Sequence, residues 1–74
     1  MNSKKLAKLK VKDLLKLKCE VIDDQNKIDH FNEMYNEDFV LYFIKPLSGD
    51  LNQLYAAEGN TLKNNAYYIG EIKL

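Results

Sequence analysis

The sequence predicts an α+β fold: one amphipathic helix packed on a small, mostly antiparallel β-sheet, with a short N-terminal helix or strand. Three observations carry that expectation. Ile28, Phe31, Met34 and Tyr35 recur at helical spacing. Residues 39–44 (Phe-Val-Leu-Tyr-Phe-Ile) are six consecutive β-favouring apolar residues, the length of a strand buried on both faces. From Ala66 to Leu74, Ala66, Tyr68, Gly70, Ile72 and Leu74 alternate with Tyr67, Ile69, Glu71 and Lys73, the period of a strand.

Residues 1–5 read as a loose polar start. Beyond them the pattern supports two periods: Leu6, Leu9, Leu14 and Leu17 fit a helical face, whereas Leu15, Leu17, Cys19 and Val21 fit strand alternation. A short helix over Lys8–Leu15 followed by a strand over Leu17–Ile22 accommodates both. Asp23-Asp24 then suits a helix start, because carboxylates accept from free amides at the positive end of the helix dipole. The helix expected from this start covers Gln25–Asn36, with Asn36 tolerating a left-handed stop. Pro46 is expected to end the following strand, and Ser48-Gly49-Asp50 is turn chemistry. Leu51–Glu58 has two readings, a short capped helix or a strand from Gln53 hairpinned to its predecessor. The hairpin is preferred, because a lone buried strand needs neighbours for its amides.

Seventy-four residues with 46% hydrophobic content suit one small domain. A chain of this size buries only roughly 60% of the surface it exposes when unfolded. Cys19 is the one cysteine, so no internal disulfide forms and a reducing cytoplasm is the expected compartment. The lysine-rich start is not followed by the apolar run of a signal peptide, and no stretch is long and apolar enough to span a bilayer.

Zero net charge conceals a strong segregation. Residues 1–18 hold seven lysines against Asp13, a balance of +6, while residues 19–38 hold seven acids against Lys27, a balance of −6. There is no arginine, so the rigid two-pronged donor that reads guanine edges is missing and sequence-specific DNA reading is disfavoured. Eleven lysines and eight asparagines beside that absence also suggest an AT-rich coding sequence.

Catalytic and cofactor chemistry find little support. One His and one Cys cannot fill a structural zinc site, and Asp23, Asp24 and Asp29 lack the spacing and glycine of a calcium loop. Cys19 and His30 could in principle form a thiol–imidazole pair, but Cys19 falls on an apolar alternate face where buried thiols are inert. Gly49, Gly59 and Gly70 are too dispersed to cradle a phosphate. No cofactor, no metal and no enzymatic activity are expected.

Surfaces are more informative. Asp29, Glu33 and Glu37 stand four apart, and like charges at that spacing cost a helix about 0.2–0.5 kcal/mol per pair. With Asp38 they suggest an acidic face that meets a basic surface on another protein. Tyr67, assigned to the exposed face of the last strand together with Ile69, is the expected sheet contact. Lys4, Lys5, Lys8, Lys10 and Lys12 form the alternative site, for non-specific binding of nucleic acid by counterion release. The favoured function is a small non-catalytic cytoplasmic protein-binding module, an inhibitor or adaptor of the kind carried by phages and mobile elements. The alternatives are a nucleic-acid accessory protein and an obligate homodimer in which basic and acidic segments meet.

Overall fold

The computed structural model describes residues 9–73. Lys4, Lys5, Lys8 and the loose start expected over residues 1–5 lie outside them. The described residues form a small α+β fold of five antiparallel strands and two helices. β1 (Leu9–Lys10) leads directly into α1 (Val11–Lys16), then β2 (Glu20–Ile22), α2 (Gln25–Tyr35), β3 (Leu41–Ser48), β4 (Leu51–Ala57) and β5 (Asn65–Lys73). The strands lie in the order β1-β5-β4-β3-β2. The ambiguity before residue 22 resolves into both readings in shorter form. Leu17 closes α1, Lys18 takes a positive φ of 59°, and the chain turns before β2 begins at Glu20.

Alternation along the central strands builds two cores, one on each side of the sheet. Tyr42, Ile44, Leu54, Ala56 and Tyr67 point to one side, where they cluster with Phe39, Ile22 and, from α2, Ile28 and Phe31. Phe43, Tyr55, Ala57 and Ala66 point to the other and cluster with Val11 and Leu14 at α1. The rings on the α2 side interlock: Phe31 and Tyr42 lie 4.9 Å apart, Phe39 and Tyr67 5.7 Å.

Local chemistry fixes the limits of α2. The Asp24 carboxylate accepts from the Asn26 amide at 2.9 Å, and Asn36 closes the helix at φ 55°, ψ 51°, the left-handed conformation that asparagine tolerates. Between β3 and β4 the chain turns through Gly49-Asp50. Gly49 has a φ of 56°, as two-residue hairpins demand of a central residue.

Three expectations are corrected. Leu51–Ala57 is a strand, as preferred, but it starts two residues before Gln53. β3 does not stop at Pro46 and continues to Ser48. Among the described residues β2 pairs with β3 only over Tyr42–Ile44, so Pro46 sits where the strand has an edge and its missing N–H breaks no inner ladder. Leu47 bulges, since Pro46 faces Asn52 while Ser48 faces Leu51.

The third correction concerns the last strand. Tyr68 pairs with Tyr55 and Gly70 with Leu54, which leaves Ile69 without an opposite number on β4. This bulge resets the alternation. Ile69 and Ile72 both lie against the α2-side core, although simple period two puts them on opposite faces. Gly70, at φ 154°, supplies the backbone conformation beside the bulge.

Candidate functional site

The acidic residues do not form one continuous stripe. Asp29 and Glu33 are exposed on α2, and Asp29 accepts a hydrogen bond from the Gln25 side-chain amide at 2.8 Å. Glu37 lies beyond the left-handed Asn36 and so leaves the helical face. It is half-buried, and its backbone N–H donates to the Asn32 carbonyl at 2.9 Å. Asp38 is exposed.

Tyr67 is not the exposed tyrosine. It is buried, 5% exposed, among Phe39, Ala56 and the α2-side core, whereas Tyr68 on the opposite face is 38% exposed and leans on Tyr55 with ring centroids 5.4 Å apart. Ala56 opposite Tyr67 explains the assignment: that small side chain leaves the room on the α2 side that a phenol ring fills.

A residue that sequence patterning passed over organises the α2–β3 connection. Asn32 Nδ2 donates to the Phe39 carbonyl at 3.0 Å, while its Oδ1 accepts from the Phe39 N–H at 3.0 Å and from the Tyr42 hydroxyl at 2.7 Å. One amide thus satisfies both main-chain groups of a buried residue and the phenol of another. Burial pushes the Tyr42 hydroxyl well above its ordinary value, with smaller contributions from Glu37 and Tyr35. No periodicity signals such a residue, because its partners lie seven and ten residues downstream.

The basic residues gather differently from their order in sequence. Lys10 and Lys12 line a shallow cleft of about 400 Å³ with Leu62 and Lys63, from the β4–β5 connection. The Lys12 N–H donates to the Leu62 carbonyl and the Val11 N–H to that of Asn64, which brings the two segments together. The Lys10 ammonium donates to the Asn65 side chain, and its own N–H donates to the Asp13 carboxylate at 2.9 Å. Lys63 is the member of this cluster that linear charge counting missed.

Cys19 and His30 lie on opposite sides of the sheet. Cys19 packs against the α1-side core, and His30 lines a groove beside α2. They form no thiol–imidazole pair. Burial pushes the Cys19 thiol up from its ordinary value, with Lys45 pulling it partly back, so its neighbourhood does not favour the thiolate. Among the described residues no three His, Cys, Asp or Glu side chains are placed to hold a metal ion. No helix among them is long and apolar enough to cross a membrane.

The groove holds about 640 Å³. Ile22, Ile44 and Ile72 contribute from the sheet, and His30 and Met34 from the exposed flank of α2. No known protein family, no curated protein and no solved structure matches the chain.

Proposed function

We propose that this protein is a small non-catalytic protein-binding module that works by occupying a surface of another protein in a reducing cytoplasm. The inhibitors and adaptors of phages and mobile elements are the type it resembles in size and charge order, an analogy of kind alone. The observation that carries the reading is how α2 holds its carboxylates. Ile28 and Phe31 of α2 belong to one buried cluster with Tyr42 and Tyr67, and the helix is capped at one end by Asp24 and stopped at the other by Asn36. Asp29 and Glu33 therefore point outward from a fixed support, one turn apart, with Asp38 exposed nearby in sequence. Two like charges one turn apart weaken a helix slightly, and a basic partner surface removes that penalty while gaining orientation. Tyr68, in place of Tyr67, is the tyrosine available for contact from the sheet.

The test is affinity capture by the tagged protein from lysate of its source cell, with nuclease, beside the Asp29→Lys/Glu33→Lys variant. A protein recovered near equal stoichiometry by the wild type and lost with the folded variant supports the reading. Equal recovery by both overturns the acidic face as the contact.

A second reading rests on the cleft at Lys10, Lys12 and Lys63, three cations converging from the two ends of the chain. It is non-specific contact with nucleic-acid phosphates. Its mark is affinity for any single- or double-stranded oligonucleotide that falls steeply with salt and weakens when Lys63 becomes glutamate.

A further inference from the structure

The connection between β4 and β5 carries Leu62, which at 54% is the most exposed large apolar side chain among the described residues. A single exposed leucine is ordinary. This one forms the apolar wall of a cleft whose remaining lining is Lys10, Lys12 and Lys63. Its backbone is held in place. The Leu62 carbonyl accepts from the Lys12 N–H at 3.3 Å, and Asn64 Oδ1 accepts from the Thr61 N–H at 2.9 Å and the Thr61 hydroxyl at 2.7 Å. Gly59 lies so close to the Asn64 side chain that no Cβ fits there. The connection therefore offers Leu62 and Lys63 to a ligand with little ordering left to do on binding.

We propose that this cleft takes an unstacked base of a single-stranded nucleic acid, the base lying against Leu62 and the adjoining phosphates on the three lysines. The inference rests on the second reading above, contact with nucleic-acid phosphates, and narrows it. Lysines alone suit any phosphate chain. In a duplex the bases are stacked inside, so the lysines meet phosphates while Leu62 stays in water. In a single strand a base can swing out of the stack and offer its face to an apolar side chain. Leu62 is thus the residue that separates the two forms.

The cations themselves favour phosphate over carboxylate. Lysine is a point charge that meets a phosphate oxygen from any direction, whereas pairing with a carboxylate gains most from the two-pronged guanidinium. Two acids stand near. The Asp13 carboxylate accepts from the Lys10 N–H, and the Glu58 carboxylate accepts from the Asn65 side chain. Neither lines the cleft. The selection is one of form and not of sequence, since lysines and a leucine give no paired donor and acceptor to read a base edge.

Fluorescence anisotropy of the full chain tests this, with a labelled oligo(dT) of about 12 nucleotides and with the same strand annealed to its complement, at equal salt. Circular dichroism shows that each variant is folded. Phosphate contacts on their own favour the duplex, whose charge density is higher, so a preference for the single strand reports contact with bases. The wild type is expected to bind the single strand about fivefold more tightly than the duplex, the scale of burying part of one leucine. Leu62→Ser, at an exposed position, is expected to abolish that preference. Lys63→Gln is expected to weaken both forms and to lower the slope of log affinity against log salt by about 0.7 on the single strand. Equal affinity for the two forms overturns the base contact and leaves the phosphate reading standing, as does a single-strand preference that survives Leu62→Ser. Displacement by polyglutamate as effective as by unlabelled oligo(dT) overturns the proposal in favour of an acidic protein partner. Binding of neither form at low salt overturns the phosphate reading along with it.

Discussion

The two sides of the sheet are built to different standards. On the α2 side nine buried residues form one cluster, its rings in mutual contact and the Tyr42 hydroxyl and Phe39 main-chain groups met by Asn32. On the α1 side six buried residues cluster under a helix of only six residues, and Leu15, Leu17, Val21 and Tyr68 remain substantially exposed. Both cores draw on the same central strands, so backbone pairing does not explain the contrast. The helices contribute equally, with two buried residues each, Ile28 and Phe31 from α2 and Val11 and Leu14 from α1, but the rest of the chain brings seven buried residues to the α2-side cluster and four to the other. The larger cluster is expected to carry the larger share of the stability.

That asymmetry has measurable consequences. Phe31→Ala is expected to cost about 3–5 kcal/mol in urea unfolding, the range for removing a buried aromatic ring. For a domain of this size that is a large part of the whole. Leu14→Ala removes a side chain with no exposed surface, but its short helix and exposed neighbours can relax into the space. Its expected cost is about 2–3 kcal/mol, in the lower half of the range for such truncations. If Leu14→Ala proves as costly as Phe31→Ala, stability is shared evenly and the contrast fails.

Asn32→Ala leaves the Phe39 N–H and carbonyl and the Tyr42 hydroxyl without their amide partner. The expected loss is about 1–3 kcal/mol, and hydrogen exchange should show the Phe39 amide losing protection. The smallest effect comes with pH. In the folded protein burial holds the Tyr42 hydroxyl above the ordinary tyrosine value of 10.0, and Tyr35 and Tyr55 are raised for the same reason. A raised folded-state value means that the neutral phenol is favoured by folding. That contribution is fully present below pH 10 and is lost as pH climbs above it. Unfolding at constant temperature, followed by far-ultraviolet circular dichroism, should therefore set in above pH 10. Tyr42→Phe should cost about 1 kcal/mol at neutral pH through its hydrogen bond to Asn32, and should make the alkaline loss shallower.

Legibility in the sequence followed the range of the interactions. α2 was readable because its spacing and caps are all local: Ile28, Phe31, Asp24 and Asn36 declare themselves within a dozen residues. β3 and β4 were readable from composition and turn residues. Tyr67 was misplaced because the bulge at Ile69 depends on the register of β4, which no period-two count along β5 contains. Glu37 was misplaced for a subtler reason. The left-handed Asn36 that was expected to stop the helix necessarily takes the next residues off its face, so the two expectations were inconsistent with one another. Lys63 joins Lys10 and Lys12 because β1 pairs with β5, and that pairing sets Lys10 opposite Asn65 and Leu9 opposite Ala66, far apart in sequence. Asn32 read as an unremarkable polar helix residue because its value lies in geometry across a turn.

The pairing of β1 also sets an order of events during synthesis. β1 finds its one strand neighbour in β5, and α1 begins with amides held by the carbonyls of Leu62 and Asn64. The described residues that leave the ribosome first thus depend on those that leave it last. α2, β3 and β4 can associate while the chain is still growing. β1 and the first turn of α1 must wait for β5, and Val11 and Leu14 stay uncovered until it arrives. β1 is thus made early and paired late, and Leu9, Lys10 and Lys12 stay open to chaperones until β5 emerges.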